Sequence, residues 1–198
     1  MNPNQHRYFA IYKPYNMVSQ FVSSHQVRLL GELDFDFPEG THAIGRLDNH
    51  SEGLLLLTTN PKITRLLFQG KQPHGRTYLV QVKNKISQAS IDLLCKGIEI
   101  EIKGGMPYTT SPCLVKQVER PSWLEPAAHE IPAKISHSWL EITLTEGKFH
   151  QVRKMVAAVH HKCRRLVRTS IENISITHLG SGMVEEISEQ HFFNKLNI

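Results

Sequence analysis

Four consecutive leucines, Leu54 to Leu57, lie between Gly53 and an Asn60-Pro61 break. A half-exposed strand alternates apolar and polar residues, whereas a short unbroken apolar run that ends at Asn-Pro reads as a strand buried on both faces. Just before it comes Gly45-Arg46-Leu47-Asp48, then Ser51-Glu52-Gly53. A loop anchored by a buried strand holds its side chains in fixed positions, and rigid scaffolds present catalytic groups on such loops. Asp48 is therefore a candidate reactive carboxylate. In the plainer reading Asp48 caps a turn and Arg46 is a surface charge, and spacing alone does not choose between them.

The chain has 198 residues, enough for one substantial core or for two small subdomains that share one. No run of about 18 apolar residues is present, which excludes a membrane-spanning helix, and Met1 to Arg7 lacks the apolar stretch of a secretory signal. Cys95, Cys113 and Cys163 are odd in number and widely spaced, so reduced thiols in a cytoplasmic protein are expected rather than a disulfide framework. His160-His161 with Cys163 has no second ligand cluster to complete a structural zinc site, and no metal is expected. The net charge of +5 is modest, but its placement is uneven: Lys148, Arg153 and Lys154 are followed by Lys162, Arg164, Arg165 and Arg168 with few intervening acids. Clustered cations of this kind are the footprint of phosphate contact, so a polyanion partner is expected.

Tyr8 to Tyr12 reads as a first strand, and the thirty or so residues after Lys13-Pro14 read mainly as loop. Asn60-Pro61 opens a helix that Gly70 closes, with Ile63, Leu66 and Leu67 on one face. Arg76 to Val82 alternates as a strand, with Tyr78, Val80 and Val82 on one side and Leu79 on the other. Ser87 caps a helix that runs to Lys96. Ile98 to Ile102, Cys113 to Val118 and Ser138 to Thr145 are further strands, and the proline-bearing stretch from Arg120 to Ile135 reads as a surface loop. Gly147 opens a helix from about Phe149 to His160, and Leu166 to Ile176 returns to a β pattern. Strands that follow one another directly predict an α+β fold with a mainly antiparallel central sheet and flanking helices.

Three positions stand apart: Asp48 in its loop, Tyr78 on its strand and Arg153 on the helix after Gly147. Together they suit a carboxylate nucleophile, a ring with a hydroxyl that stacks on a base, and a guanidinium that keeps the carboxylate ionised and oriented. Taken one at a time, Tyr78 is an ordinary strand tyrosine and Arg153 one more phosphate-binding cation.

Four motifs in order change this. Lys13-Pro14-Tyr15-Asn16-Met17-Val18-Ser19, the stretch from Gly45 through Asn60, Arg76-Thr77-Tyr78-Leu79-Val80, and Glu146-Gly147-Lys148-Phe149-His150-Gln151-Val152-Arg153-Lys154-Met155 resemble those of the pseudouridine synthases, in the branch that modifies ribosomal RNA and nearest its large-subunit type. The resemblance covers nearly the whole chain. It implies two subdomains, with a boundary near residues 60–75, around a catalytic cleft. Asp48 aligns with the catalytic aspartate, Tyr78 with the tyrosine that stacks on the target base, and Arg153 with the arginine paired to that aspartate. Arg46 matches the position that enters the RNA stem as the uridine leaves it. Lys13, Arg76, Lys148, Lys154, Arg164, Arg165 and Arg168 are the expected RNA contacts. The implied reaction detaches uracil from C1′, rotates it and rejoins it through C5, with no cofactor. Large-subunit (23S) ribosomal RNA is the expected partner of a monomer.

Two departures follow from the same comparison. Glycine is usual in the family where this chain has Asn16, and asparagine tolerates the left-handed backbone better than most residues. Many relatives carry an S4-type RNA-binding domain ahead of the catalytic part, and the seven residues before Tyr8 leave no room for one. The rival readings are a non-catalytic RNA-binding or ribosome-assembly protein, which would be expected to lack Asp48, Tyr78 or Arg153, and an N-glycoside hydrolase, which would release free uracil.

Overall fold

A computed structural model describes residues 6–69 and 72–198. In chain order the strands and helices are β1 (Tyr8–Lys13), β2 (His42–Ala43), β3 (Glu52–Thr58), α1 (Ile63–Gln69), β4 (Arg76–Lys83), α2 (Gln88–Lys96), β5 (Glu99–Glu101) and β6 (Pro107–Thr109). They continue with β7 (Leu114–Val118), β8 (His137–Leu144), α3 (Gln151–Ala158), β9 (Cys163–Ile171), β10 (Ile174–Ser175), β11 (Val184–Ile187) and α4 (Glu189–Leu196). The chain forms two compact units, one from residues 1–74 with 168–198 and the other from residues 75–167. Strand pairing within both is antiparallel, so the class is α+β with few helices.

In the first unit β1 lies between β11 and β3, with Ile11 opposite both Val184 and Leu55. Every residue of β3 is buried, which is why its leucines do not alternate. Each such leucine contributes about 1.5–3 kcal/mol by leaving water. Phe9 on β1 meets Phe35 edge-on at 5.5 Å, so the loop between β1 and β2 supplies core as well as connection. Asn60 caps the start of α1 by accepting the Lys62 amide at 3.1 Å. Ile63 and Leu67 of α1 are buried, but Leu66 is 49% exposed, so the apolar stripe is narrower than the sequence suggested. The proposed stop at Gly70 lies outside the described residues.

The C-terminal segment carries structure that the sequence reading did not identify. β11 pairs with β1, and α4 begins at Ser188, whose hydroxyl accepts the His191 amide. Phe192 and Leu196 of α4 are fully buried, and the Phe192 ring lies 4.6 Å from that of Tyr8.

In the second unit β8 is flanked by β4 and β7, with Ile142 opposite Tyr78 on one side and Val115 on the other. α2 is capped by Ser87, which accepts the Ser90 amide at 3.2 Å. It ends at Gly97, where φ is +96° and a Cβ would lie 2.3 Å from the Thr110 carbonyl oxygen, so no other residue fits. Val80, Val82, Leu94, Ile142, Met155 and Val156 build the core. β4 does not alternate in burial: Leu79 and Gln81 are as buried as Val80 and Val82. The segment from Arg120 to Ile135 is more than a surface loop. The Gln81 side chain donates to the Ile131 carbonyl (2.9 Å) and accepts its amide (2.8 Å), which pins this segment to β4.

Candidate active site

The Asp48 loop in the first unit is held from several directions. Ser19 Oγ donates to the Leu47 carbonyl at 2.8 Å and accepts the Leu47 amide at 3.0 Å, which fixes the residue next to Asp48. The Asp48 carbonyl accepts the Ser51 amide at 3.0 Å. Asn16 adopts φ +58°, the left-handed conformation expected where the family has glycine, and its amide donates to the Asn49 carbonyl at 2.9 Å. Arg168 donates to the Leu54 carbonyl at 2.7 Å and to the Arg46 carbonyl at 3.4 Å, tying the loop to β3. Asp48 is half-buried and Arg46 exposed on this scaffold.

Lys13 has no exposed surface. Its ammonium donates to the carbonyls of Met17 (2.6 Å), Pro14 (2.8 Å) and Asn49 (3.5 Å), linking the first motif to the Asp48 loop. Burial lowers its pKa to about 7 against the opposing pull of Glu52 and Asp48. The sequence expectation of Lys13 as an RNA contact is thereby corrected: it is an internal brace. The same holds for two of the expected phosphate contacts. Arg168 is 4% exposed and braces the loop as described. Arg165 is 2% exposed and donates to Glu130 at 2.6 Å and to the Glu125 carbonyl at 2.7 Å. Alternation along β9 turns Arg165 inward, whereas Arg164 stays exposed.

In the second unit Tyr78 sits on β4, half-buried and packed against the core cluster. Arg76, two residues earlier, comes so close to the turn before α3 that a Cβ on Gly147 would lie 2.7 Å from its Nη1. That turn is braced from within. Gln151 accepts the Lys148 amide at 2.8 Å and donates to Glu146 at 2.7 Å. Burial pushes the Glu146 pKa up, but hydrogen bonds from Tyr108, Ser111 and Gln151 outweigh it and hold the carboxyl below its usual value. α3 starts at Gln151 rather than Phe149, because His150 has φ +56° and cannot continue the helix. Arg153 on α3 donates to the Cys163 thiol at 3.7 Å, while burial raises that thiol to about 11 despite the guanidinium. Lys148 is exposed and Lys154 half-buried. The first unit thus gathers Lys13, Arg46, Asp48 and Arg168. The second gathers Arg76, Tyr78, Lys148, Arg153 and Lys154, with Arg164 and Arg165 on β9.

Ser19 and Gln151 carry much of this geometry, and sequence reasoning passed over both. Ser19 bonds backbone atoms 28 residues away, and Gln151 bonds the Lys148 amide and the Glu146 carboxylate, 3 and 5 residues away. Among the described residues no group of three or more His, Cys, Asp or Glu residues could hold a metal ion, and no helix is long and apolar enough to cross a membrane.

Along the chain come the braced aspartate loop, the tyrosine strand and the arginine helix, in the order of the motifs given above. The model of the RNA pseudouridylate synthase family matches residues 7–158, and the chain belongs to that family, whose members are isomerases. Among curated proteins it is similar to ribosomal large subunit pseudouridine synthase E of Vibrio parahaemolyticus, at 35% identity over 88% of this chain and 71% of the relative. It is likewise similar to the protein of that name from Xanthomonas campestris, at 34% identity over 86% of this chain and 89% of the relative. Among solved structures, a crystal structure of a pseudouridylate synthase superposes with a TM-score of 0.75 at 25% identity, over 97% of this chain and 74% of that one. The large-subunit type that the motifs resembled is the type these relatives bear in their names.

Proposed function

We propose that this protein converts a uridine of large-subunit (23S) ribosomal RNA into pseudouridine. The observation that carries the proposal is the Gly45–Asn60 stretch, which matches the family's catalytic motif and is braced around Asp48 by Ser19, Asn16 and Arg168. The names of the relatives support the choice of RNA.

In this proposal the Asp48 carboxylate acts at C1′ as the N1–C1′ bond breaks. The uracil turns and C5 bonds to C1′; C5 then gives up its proton while N1 gains one, so atoms and electrons balance within a single nucleotide. Tyr78 stacks on the extruded base, and its hydroxyl assists removal of the C5 proton. Arg153 has the role of the arginine that the resemblance assigns beside the catalytic aspartate, and Arg46 takes the place of the base in the stem. A base inside a duplex must leave its stack to be reached, so extrusion is part of the cycle. That these four residues act on the same uridine is part of the proposal. Arg46, Arg76, Lys148, Lys154 and Arg164 are the phosphate-contacting cations, and the protein works as a monomer without a cofactor.

The test is tritium release from C5-tritiated transcripts of large-subunit rRNA, small-subunit rRNA and tRNA. Release from the large-subunit transcript alone, without free uracil, supports the proposal. Release only from tRNA or small-subunit rRNA contradicts the assigned substrate, and free uracil would show hydrolysis instead.

A further inference from the structure

Phe149 is 68% exposed, although the sequence around it supplies polar alternatives and a core for apolar residues lies beneath α3. A lone exposed phenylalanine is ordinary, but the setting of this one is ordered. Its ring is stacked on that of His150, with centroids 3.8 Å apart and planes within 18°. The pair is not a loose surface contact. His150 is fixed in the left-handed conformation at φ +56°, and the turn is locked on either side by Gln151 and Glu146. One ammonium lies against it, and the lysine before it turns to another ring. Lys154 Nζ lies 5.6 Å from the Phe149 centroid and is held by the Glu101 carbonyl at 2.6 Å, and Lys148 Nζ lies 4.5 Å over the Tyr108 ring.

A pre-stacked aromatic surface edged by an ammonium group matches the chemistry of a nucleotide: π face for base, cation for phosphate. We propose that the Phe149–His150 pair, with Lys154 at its rim, is a stacking subsite for one unpaired nucleotide of the RNA, other than the uridine that is isomerised. The inference rests on the RNA reading above and adds a second aromatic contact to that assigned to Tyr78. A duplex offers no open base face, so the subsite selects RNA that is unpaired beside the target. Stacking accepts any base, so the subsite senses strand structure more than sequence.

The test measures binding and catalysis in parallel on large-subunit rRNA transcript, for wild type, Phe149→Leu and Phe149→Trp. A base stacked on an aromatic side chain is worth roughly 5- to 150-fold in affinity. Phe149→Leu should therefore weaken binding by about that factor and raise KM, while Phe149→Trp restores both. The slope of affinity against salt should stay that of wild type, because no phosphate contact is lost. Wild-type affinity in Phe149→Leu overturns the proposal, since an apolar side chain then suffices. Equal weakening in both variants overturns it too, as does a wild type that binds no RNA. If Phe149→Leu binds weakly but the wild type releases no tritium, the subsite stands and the isomerase reading fails. If the wild type releases tritium and Phe149→Leu binds and turns over normally, the reverse holds.

Discussion

Replacing Ser19 with alanine removes a single oxygen that serves two backbone groups. Its hydroxyl is buried and bonded both to the Leu47 carbonyl at 2.8 Å and from the Leu47 amide at 3.0 Å. Alanine leaves that amide and carbonyl buried with no side-chain partner, at a cost of about 1–3 kcal/mol each. Partial relaxation of the loop recovers some of this, so a loss of about 2–4 kcal/mol is expected, a large share of the roughly 5–15 kcal/mol that holds a typical domain together. Urea unfolding followed by fluorescence reads this as a midpoint lowered by about 1–2 M. The functional effect is separate. Asp48 follows Leu47, and a shift of about 1 Å at a reacting group costs on the order of 100-fold in rate. Turnover of the folded variant should fall about 10- to 100-fold, with RNA affinity within about twofold of wild type, the free-energy equivalent of less than 0.5 kcal/mol. A variant that unfolds within about 0.5 kcal/mol of wild type, or one that is folded and fully active, would refute the claim that Ser19 aims the loop.

Four other expectations follow from the same geometry. Gly97→Ala forces a Cβ to within 2.3 Å of the Thr110 carbonyl at a positive φ, and should lower stability by more than the roughly 1–3 kcal/mol of backbone strain alone, read as the melting midpoint. Arg165→Ala removes one of the two arginine partners of Glu130 and the bond to the Glu125 carbonyl, leaving Arg120 in place, and should cost about 1–3 kcal/mol in unfolding, whereas Arg164→Ala should leave stability within about 0.5 kcal/mol and weaken RNA binding with a shallower salt slope. The Lys13 ammonium, with its folded pKa lowered from 10.5 to about 7, makes stability depend on pH. Above about 7 the unfolded chain binds more protons at this site than the folded one, so stability rises with pH, by about 2 kcal/mol from pH 7 to 8.5 relative to Lys13→Met. The window ends there because Cys113 and Cys163, raised to about 11 by burial, oppose the trend once unfolded thiols ionise. Parallel pH profiles of wild type and Lys13→Met would exclude a neutral-range titration of Lys13.

Patterns made by residue type were legible in the sequence, and patterns made by backbone partnership were not. Leu54 to Leu57 announce a strand buried on both faces, and Ser87 announces the start of α2, because each depends on local chemistry. Asn16 could be read as a left-handed residue for the same reason. The cations were harder. A run such as Lys162-Cys163-Arg164-Arg165 looks uniformly basic, yet strand alternation sends Arg165 to Glu130 and leaves Arg164 outside. Lys13 reads as a surface charge until its carbonyl partners at Pro14, Met17 and Asn49 are known. β11, with Val-Glu-Glu-Ile, is too short and too acidic to declare itself, and it exists because β1 offers it an edge. The loop from Arg120 to Ile135 is pinned to Gln81 of β4 without any element of its own, so no periodicity could reveal it.

Tritium release from C5-tritiated large-subunit rRNA, compared between wild type and Asp48→Asn, tests most directly whether the braced carboxylate carries the isomerisation. Release by wild type without free uracil, none by Asp48→Asn, and equal RNA binding by the two is the predicted result. Appreciable turnover by folded Asp48→Asn would contradict the role given to Asp48 and, with it, the purpose of the loop that Ser19 and Arg168 hold in place.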